Sequence, residues 1–181
     1  MHKNTRNYGE RISVVGTTGC GKTTVARELS RLLNLPHIEL DTLYWDEDWK
    51  GVSDSVFEER VRAAVEGKCW VIDGNYSRIR HLVWGRAQTV VYLDYAFGRV
   101  LWQLLKRTFR RSVSGELLWS GNKESFRKSI LSRDSILLWM VQTYHRRRRN
   151  YAKHFQQAEY AHLQVVHLRT PQLTSEWLKS V

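Results

Sequence analysis

Cysteine is nearly absent from this 181-residue chain. Cys20 and Cys69 are its only two, with neither the number for a disulfide framework nor the spacing of a metal site. Proline is as scarce, at positions 36 and 171 alone. Without repeats or low-complexity stretches, nothing reads as an interdomain linker. No apolar run is long enough to span a bilayer. The start, Met1-His2-Lys3-Asn4-Thr5-Arg6-Asn7, lacks the apolar core of a secretory signal. These absences predict a single cytoplasmic domain over 1–181, with no membrane partner. Its 42% hydrophobic content is enough for a full core. Acidic residues run short in the second half only. Residues 1–98 hold 13 Lys+Arg against 13 Asp+Glu, whereas 99–181 hold 16 against 5, which is the whole net charge of +11. A basic half of this kind either supplies arginines that close over phosphates or forms a patch for nucleic acid.

Glycine, by contrast, is concentrated where it carries chemistry. Gly16-Thr17-Thr18-Gly19-Cys20-Gly21-Lys22-Thr23 matches G-x-x-x-x-G-K-[ST], and Thr24 follows. The apolar run Ile12-Ser13-Val14-Val15 before it reads as a buried strand. Val25, Ala26, Leu29, Leu32 and Leu33 after it recur at helical spacing. Glycines in such a loop let backbone N–H groups turn inward around phosphate oxygens at a helix N-terminus. Lys22 then reaches the β- and γ-phosphates, and the Thr23 hydroxyl ligates Mg²⁺. The segment predicts a nucleoside triphosphate site spanning Gly16, Thr17, Thr18, Gly19, Cys20, Gly21, Lys22, Thr23 and Thr24.

Strands are predicted at 11–15, 37–40, 69–73, 89–94 and 163–168, each short and apolar. Helices are predicted at 22–33, about 54–66, 95–111, most of 125–157, and 171–180. Ser55 and Glu58 suggest a capping box, and Thr170-Pro171 a helix start. The alternation implies an α/β fold, a parallel sheet with helices on both faces, whose ligands sit beyond the carboxyl ends of the strands. Three strands end there in a carboxylate. Asp73, before Gly74, is placed to hold Mg²⁺ with Thr23. Asp94 reads as a cap for the next helix. Asp41 is placed to accept or orient a proton from a substrate hydroxyl. Tyr44, Trp45 and Trp49 then offer flat walls for an acceptor, or simply pack beneath a flap.

Downstream, Leu101, Leu104, Leu105 and Phe109 are predicted to face the core. That leaves Arg107 and Arg111 one turn apart, able to clamp phosphates. The Ser- and Gly-bearing stretch at about 112–125 reads as a short basic lid. Arg146-Arg147-Arg148-Arg149 reads as a solvated helix face, with nucleic-acid contact the rival.

With those residues in place, the chain resembles the adenylate-kinase-like group of P-loop kinases. Within that group it is similar to the bacterial family often labelled DNA topology modulation protein or predicted nucleotide kinase. The likeness rests on Gly16–Thr24, Leu40-Asp41-Thr42-Leu43-Tyr44-Trp45, Trp70-Val71-Ile72-Asp73-Gly74-Asn75-Tyr76, and Val91-Tyr92-Leu93-Asp94 with its downstream arginines. It implies a three-layer P-loop NTPase fold with a five-stranded sheet ordered 2-3-1-4-5. It also implies ATP and Mg²⁺ as cofactors and a small-molecule phosphoryl acceptor, a nucleoside, nucleotide or similar metabolite. Asp41, Tyr44, Trp45, Gly74 and Asn75 are then the acceptor-side candidates, and Lys22, Asp41, Arg107 and Arg111 the catalytic ones. The different reading left open is a nucleotide-gated protein whose basic half binds nucleic acid.

Overall fold

Alternation along the strands builds two cores, one on each side of the sheet. In β1 (Arg11–Gly16), Ile12 and Val14 face one side and Val15 the other. In β3 (Trp70–Asp73) the split is Val71 against Trp70 and Ile72. In β4 (Thr89–Leu93) it is Val91 and Leu93 against Val90 and Tyr92. Strands apolar on both faces must be covered on both faces, as a parallel sheet requires. The computed structural model describes residues 8–114 and 136–181. Its sheet has five parallel strands in the order β2-β3-β1-β4-β5, with β2 (His37–Glu39) and β5 (Gln164–Leu168) at the edges. This is the order the resemblance implies.

Helix α1 (Lys22–Leu33) packs Val25, Ala26, Leu29 and Leu33 into the first core. It shares that side with α5 (Phe97–Ser114), the front of α6 (Ile136–His154) and α7 (Pro171–Ser180). The other core takes α3 (Asp54–Val65), α4 (Arg80–Trp84) and the back of α6, through Phe57, Trp84 and Tyr151. So α6 crosses from one side of the sheet to the other. Phe57 is 0% exposed, and truncating such a side chain to alanine costs about 3–5 kcal/mol.

Several local expectations change. Ser53, not Ser55, caps α3, its hydroxyl accepting from the Val56 N–H at 3.4 Å. A short helix, α2 (Leu40–Tyr44), follows β2 directly, so Asp41 lies in its first turn rather than at a strand end. Phe109 is 61% exposed, and the buried stripe of α5 is Val100, Leu104 and Thr108. Thr170 does cap α7, accepting from the Leu173 N–H at 3.1 Å with Pro171 at the first helical position. Residues 115–125 of the expected lid lie outside the described residues, as do 125–135 of the long predicted helix. Among the described residues no helix is long and apolar enough to cross a membrane.

Candidate phosphoryl-transfer site

The loop between β1 and α1 is shaped by glycines that no larger residue replaces. Gly16, Gly19 and Gly21 take φ of 150°, 88° and 94°. A Cβ at Gly16 would also meet the Leu93 carbonyl oxygen at 2.5 Å and Cys20 Sγ at 2.8 Å. The turn is closed by the Cys20 N–H on the Thr17 carbonyl at 3.1 Å, and α1 opens with the Val25 N–H on the Gly21 carbonyl. Cys20 is buried at 1% exposure, and that burial pushes its thiol up, so it acts as a packed neutral side chain. Lys22 leans back over the loop, its Nζ donating to the Thr17 carbonyl at 3.3 Å. First-turn N–H groups of α1 have no partner within their own helix, so the loop presents donors and a positive dipole end where an anion fits.

Strand register brings a carboxylate to this loop. Asp73 stands opposite Val14 of β1 and Glu39 of β2. It is 4% exposed; Oδ2 accepts from the Thr23 hydroxyl at 2.6 Å, while Oδ1 lies 3.0 Å from His37 Nε2. Among the described residues no group of three or more His, Cys, Asp or Glu could hold a metal. Mg²⁺ does not need one: it takes one or two protein oxygens and fills its octahedron with water and phosphate oxygens. A hydroxyl and a carboxylate already hydrogen-bonded beside a phosphate-shaped loop fit that demand. His37 was not singled out from sequence; its imidazole helps orient the carboxylate through that contact.

On the acceptor side, Asp41 receives the Tyr76 hydroxyl at 2.5 Å. Burial raises its pKa above the ordinary carboxylate value. Tyr76 and Lys22 act to lower it, while Asp73 and Glu39 act to raise it. Asp41, Lys22 and Asp73 thus share one electrostatic neighbourhood. Tyr44 sits in an aromatic cluster, edge-on to Trp45 at 4.7 Å and to Phe57 at 5.1 Å, with Tyr76 at 5.1 Å. Trp45 in turn contacts Trp49 at 5.6 Å. The rings pack on one another, and Tyr76, a neighbour of Tyr44, is the residue that bonds Asp41. Arg78 lies over the Tyr44 and Phe57 rings at 4.9 and 5.3 Å and pairs with Asp54. Gly74 has a packing role, because a Cβ there would meet Leu40 Cβ at 2.7 Å, at φ +146°. Asn75 spends its amide on the loop itself: Oδ1 accepts from the Gly16 N–H at 3.3 Å, and Nδ2 donates to the Gly16 carbonyl.

Arg107 and Arg111 lie on the inner side of α5, flanking buried Leu104 and Thr108, and both are half-buried. Leu104 is the residue a Gly19 Cβ would touch, at 2.9 Å. At 1.5 Å per residue, Arg107 begins about 4.5 Å and Arg111 about 10 Å along the helix from that contact. The four-arginine run divides. Arg146 and Arg149 are exposed, as a solvated face would be, but Arg147 is half-buried on the inner stripe of α6 with Tyr144 and Tyr151. Arg148 binds Asp94, Nε to Oδ1 at 2.6 Å and Nη2 to Oδ2 at 2.9 Å, so Asp94 is an ion-pair acceptor rather than a helix cap. His167 at 3.0 Å and the Tyr92 hydroxyl at 3.2 Å complete its partners. Only the helical phase of α6 could have revealed the inward place of Arg147. Met140, Tyr144, Arg147 and Tyr151 fall three to four residues apart.

Solved structures share this arrangement of strands and helices across nearly the whole chain. A shikimate kinase from Acinetobacter baumannii, in complex with shikimate, matches 97% of this chain and 91% of its own at 18% identity and TM-score 0.58. A shikimate kinase from Bacteroides thetaiotaomicron matches 94% of each chain at 17% identity and TM-score 0.56. A gluconokinase from Sinorhizobium meliloti matches 97% of this chain and 90% of its own at 17% identity and TM-score 0.53. At such identities the likeness establishes the three-layer fold alone. No known family model and no curated protein matches the chain.

Proposed function

We propose that this protein is an ATP- and Mg²⁺-dependent small-molecule kinase that transfers the γ-phosphoryl group to a hydroxyl. The fold is that of small-molecule kinases, and the narrower resemblance to a bacterial nucleotide-kinase family rests on sequence motifs alone. The observation that carries the reading is Asp41: a part-buried carboxylate that accepts from the Tyr76 hydroxyl at 2.5 Å and whose charge is coupled to Lys22 and Asp73. A phosphate acceptor would be repelled by that carboxylate, whereas a hydroxyl donates to it. Loop amides and Lys22 hold the β- and γ-phosphates, while Thr23 and Asp73 supply oxygens for Mg²⁺, which offsets phosphate charge when bound. Asp41 takes the hydroxyl proton as the new O–P bond forms and the bond from γ-phosphorus to the β-γ bridging oxygen breaks, leaving ADP. Arg107 and Arg111 close over the equatorial oxygens of the transferring group. Tyr44 and Trp45 wall the acceptor.

Acceptor-dependent ADP release across a panel of nucleosides, sugar acids, cyclic hydroxy acids and nucleoside monophosphates tests this. Turnover with a hydroxyl acceptor, and much less with the monophosphates, is the expected result. Turnover with monophosphates alone would contradict the role of Asp41.

A further inference from the structure

A part-buried hydrogen-bonded strut joins α6 to the phosphate loop. Asn75 grips both backbone groups of Gly16, where β1 ends, and the same Oδ1 accepts from the Tyr151 hydroxyl at 2.7 Å. Tyr151 is 6% exposed, and its ring packs on Tyr92 at 4.8 Å, Phe155 at 6.0 Å and Trp84 at 6.1 Å. Burial pushes its hydroxyl up to about 12, so it stays a donor throughout the neutral range. One turn back along the same face lies Arg147, half-buried, its guanidinium over the Trp139 ring at 5.7 Å and its charge coupled to Tyr151 and to Cys20 in the loop. Another turn back, the Tyr144 hydroxyl donates to the Tyr95 carbonyl at 2.8 Å. Arg147 therefore stands between two tyrosines tied to opposite sides of the sheet. The Tyr151 tie ends on the loop where a triphosphate fits.

We propose that Asn75 and Tyr151 are positioning residues, which seat α6 against the phosphate loop and thereby hold Arg147 at the transferring phosphoryl group. This rests on the kinase reading above. A planar amide that bonds both Gly16 backbone groups and one hydroxyl fixes loop and helix relative to each other. A guanidinium placed from that helix acts on charge that develops only in the transition state. Displacing such a group by about 1 Å costs on the order of 100-fold in rate.

A double-mutant cycle on the full chain, Tyr151→Phe with Arg147→Ala, separates positioning from mere stability. Each variant is measured for kcat and for KM of Mg·ATP, with the best acceptor or by acceptor-independent hydrolysis. Tyr151→Phe is expected to lower kcat by about 10- to 100-fold while KM moves by no more than about threefold. In the Arg147→Ala background the same change is expected to do almost nothing further. Independent, multiplying effects would overturn the proposal, as would a loss confined to KM. If Tyr151→Phe fails to fold, Asn75→Asp takes its place. It keeps the Tyr151 acceptor but sets a carboxylate against the Gly16 carbonyl, and its loss of kcat should likewise vanish in Arg147→Ala. A Lys22→Ala control distinguishes the two failures. If it leaves turnover intact, the kinase reading itself falls; if it abolishes turnover while the cycle multiplies, only the strut's role does.

Discussion

Removing the Arg148 guanidinium leaves a buried carboxylate short of its strongest partner, and the structure sets the size of the effect. The Asp94 side chain is 6% exposed and accepts two bonds from Arg148, while the Arg148 side chain is 44% exposed. Breaking a fully buried ion pair costs about 3–5 kcal/mol, because the remaining charge is left uncompensated. Two facts reduce that figure here. His167 and Tyr92 still bond Asp94, and the open side of Arg148 lets water replace part of the lost charge. About 2 kcal/mol is what remains, near the range for charge-assisted hydrogen bonds. For a chain of this length each kcal/mol shifts Tm by about 2–4 °C, so Arg148→Ala should melt about 4–8 °C below wild type. Arg149→Ala, one residue on and exposed, should stay within about 0.5 kcal/mol of wild type. Scanning calorimetry of both variants is the assay. Equal Tm values for the two would refute the division of the arginine run into inner and outer members.

Asp41→Asn should lower kcat by about 10²- to 10⁴-fold with little change in ATP affinity, read from initial rates and nucleotide titration. It should also melt above wild type at neutral pH. Burial raises the Asp41 pKa in the folded state, so its contribution is favourable below the ordinary carboxylate value and is lost as pH rises through the folded value. The acid limb of the wild-type kcat/KM profile is therefore expected above the ordinary aspartate range, and its absence would count against Asp41 as base. Gly74→Ala should cost about 3 kcal/mol in denaturant melts, since its Cβ meets Leu40 Cβ at 2.7 Å at a left-handed φ. Arg107→Ala and Arg111→Ala should each slow transfer by about 10-fold or more, as steady-state kinetics would show.

Features set by neighbouring residues were readable along the chain. The bounds of α1 and α7 come out residue for residue, because a glycine loop and a Thr-Pro start are local signals. The five strands lie within a residue or two of their predicted ends, since short β-branched runs bounded by polar residues leave little choice. What the sequence hid depends on contacts between distant residues. Phe109 and Arg107 compete for the inner side of one helix, and hydrophobicity alone favours the phenylalanine. The packing of α5 over Gly19 turns the stripe the other way. Asn75 reads as a polar residue near an acceptor, but its amide reaches Gly16, 59 positions away in sequence. Asp94 looks like a cap until β5 and α6 arrive beside it with His167 and Arg148. The aromatic run around Tyr44 could be core or pocket wall from sequence, and in the fold Tyr44 packs against the second core.

The most direct test of the account is Mg·ATP binding and turnover in wild type beside Lys22→Ala, with thermal melts of both. The Lys22 side chain leans over the loop surface and contributes nothing to either core. The variant is therefore expected to melt like wild type yet lose at least about 100-fold in turnover. A folded Lys22→Ala that binds and turns over ATP as wild type does would contradict the assignment of this loop, and the kinase reading with it.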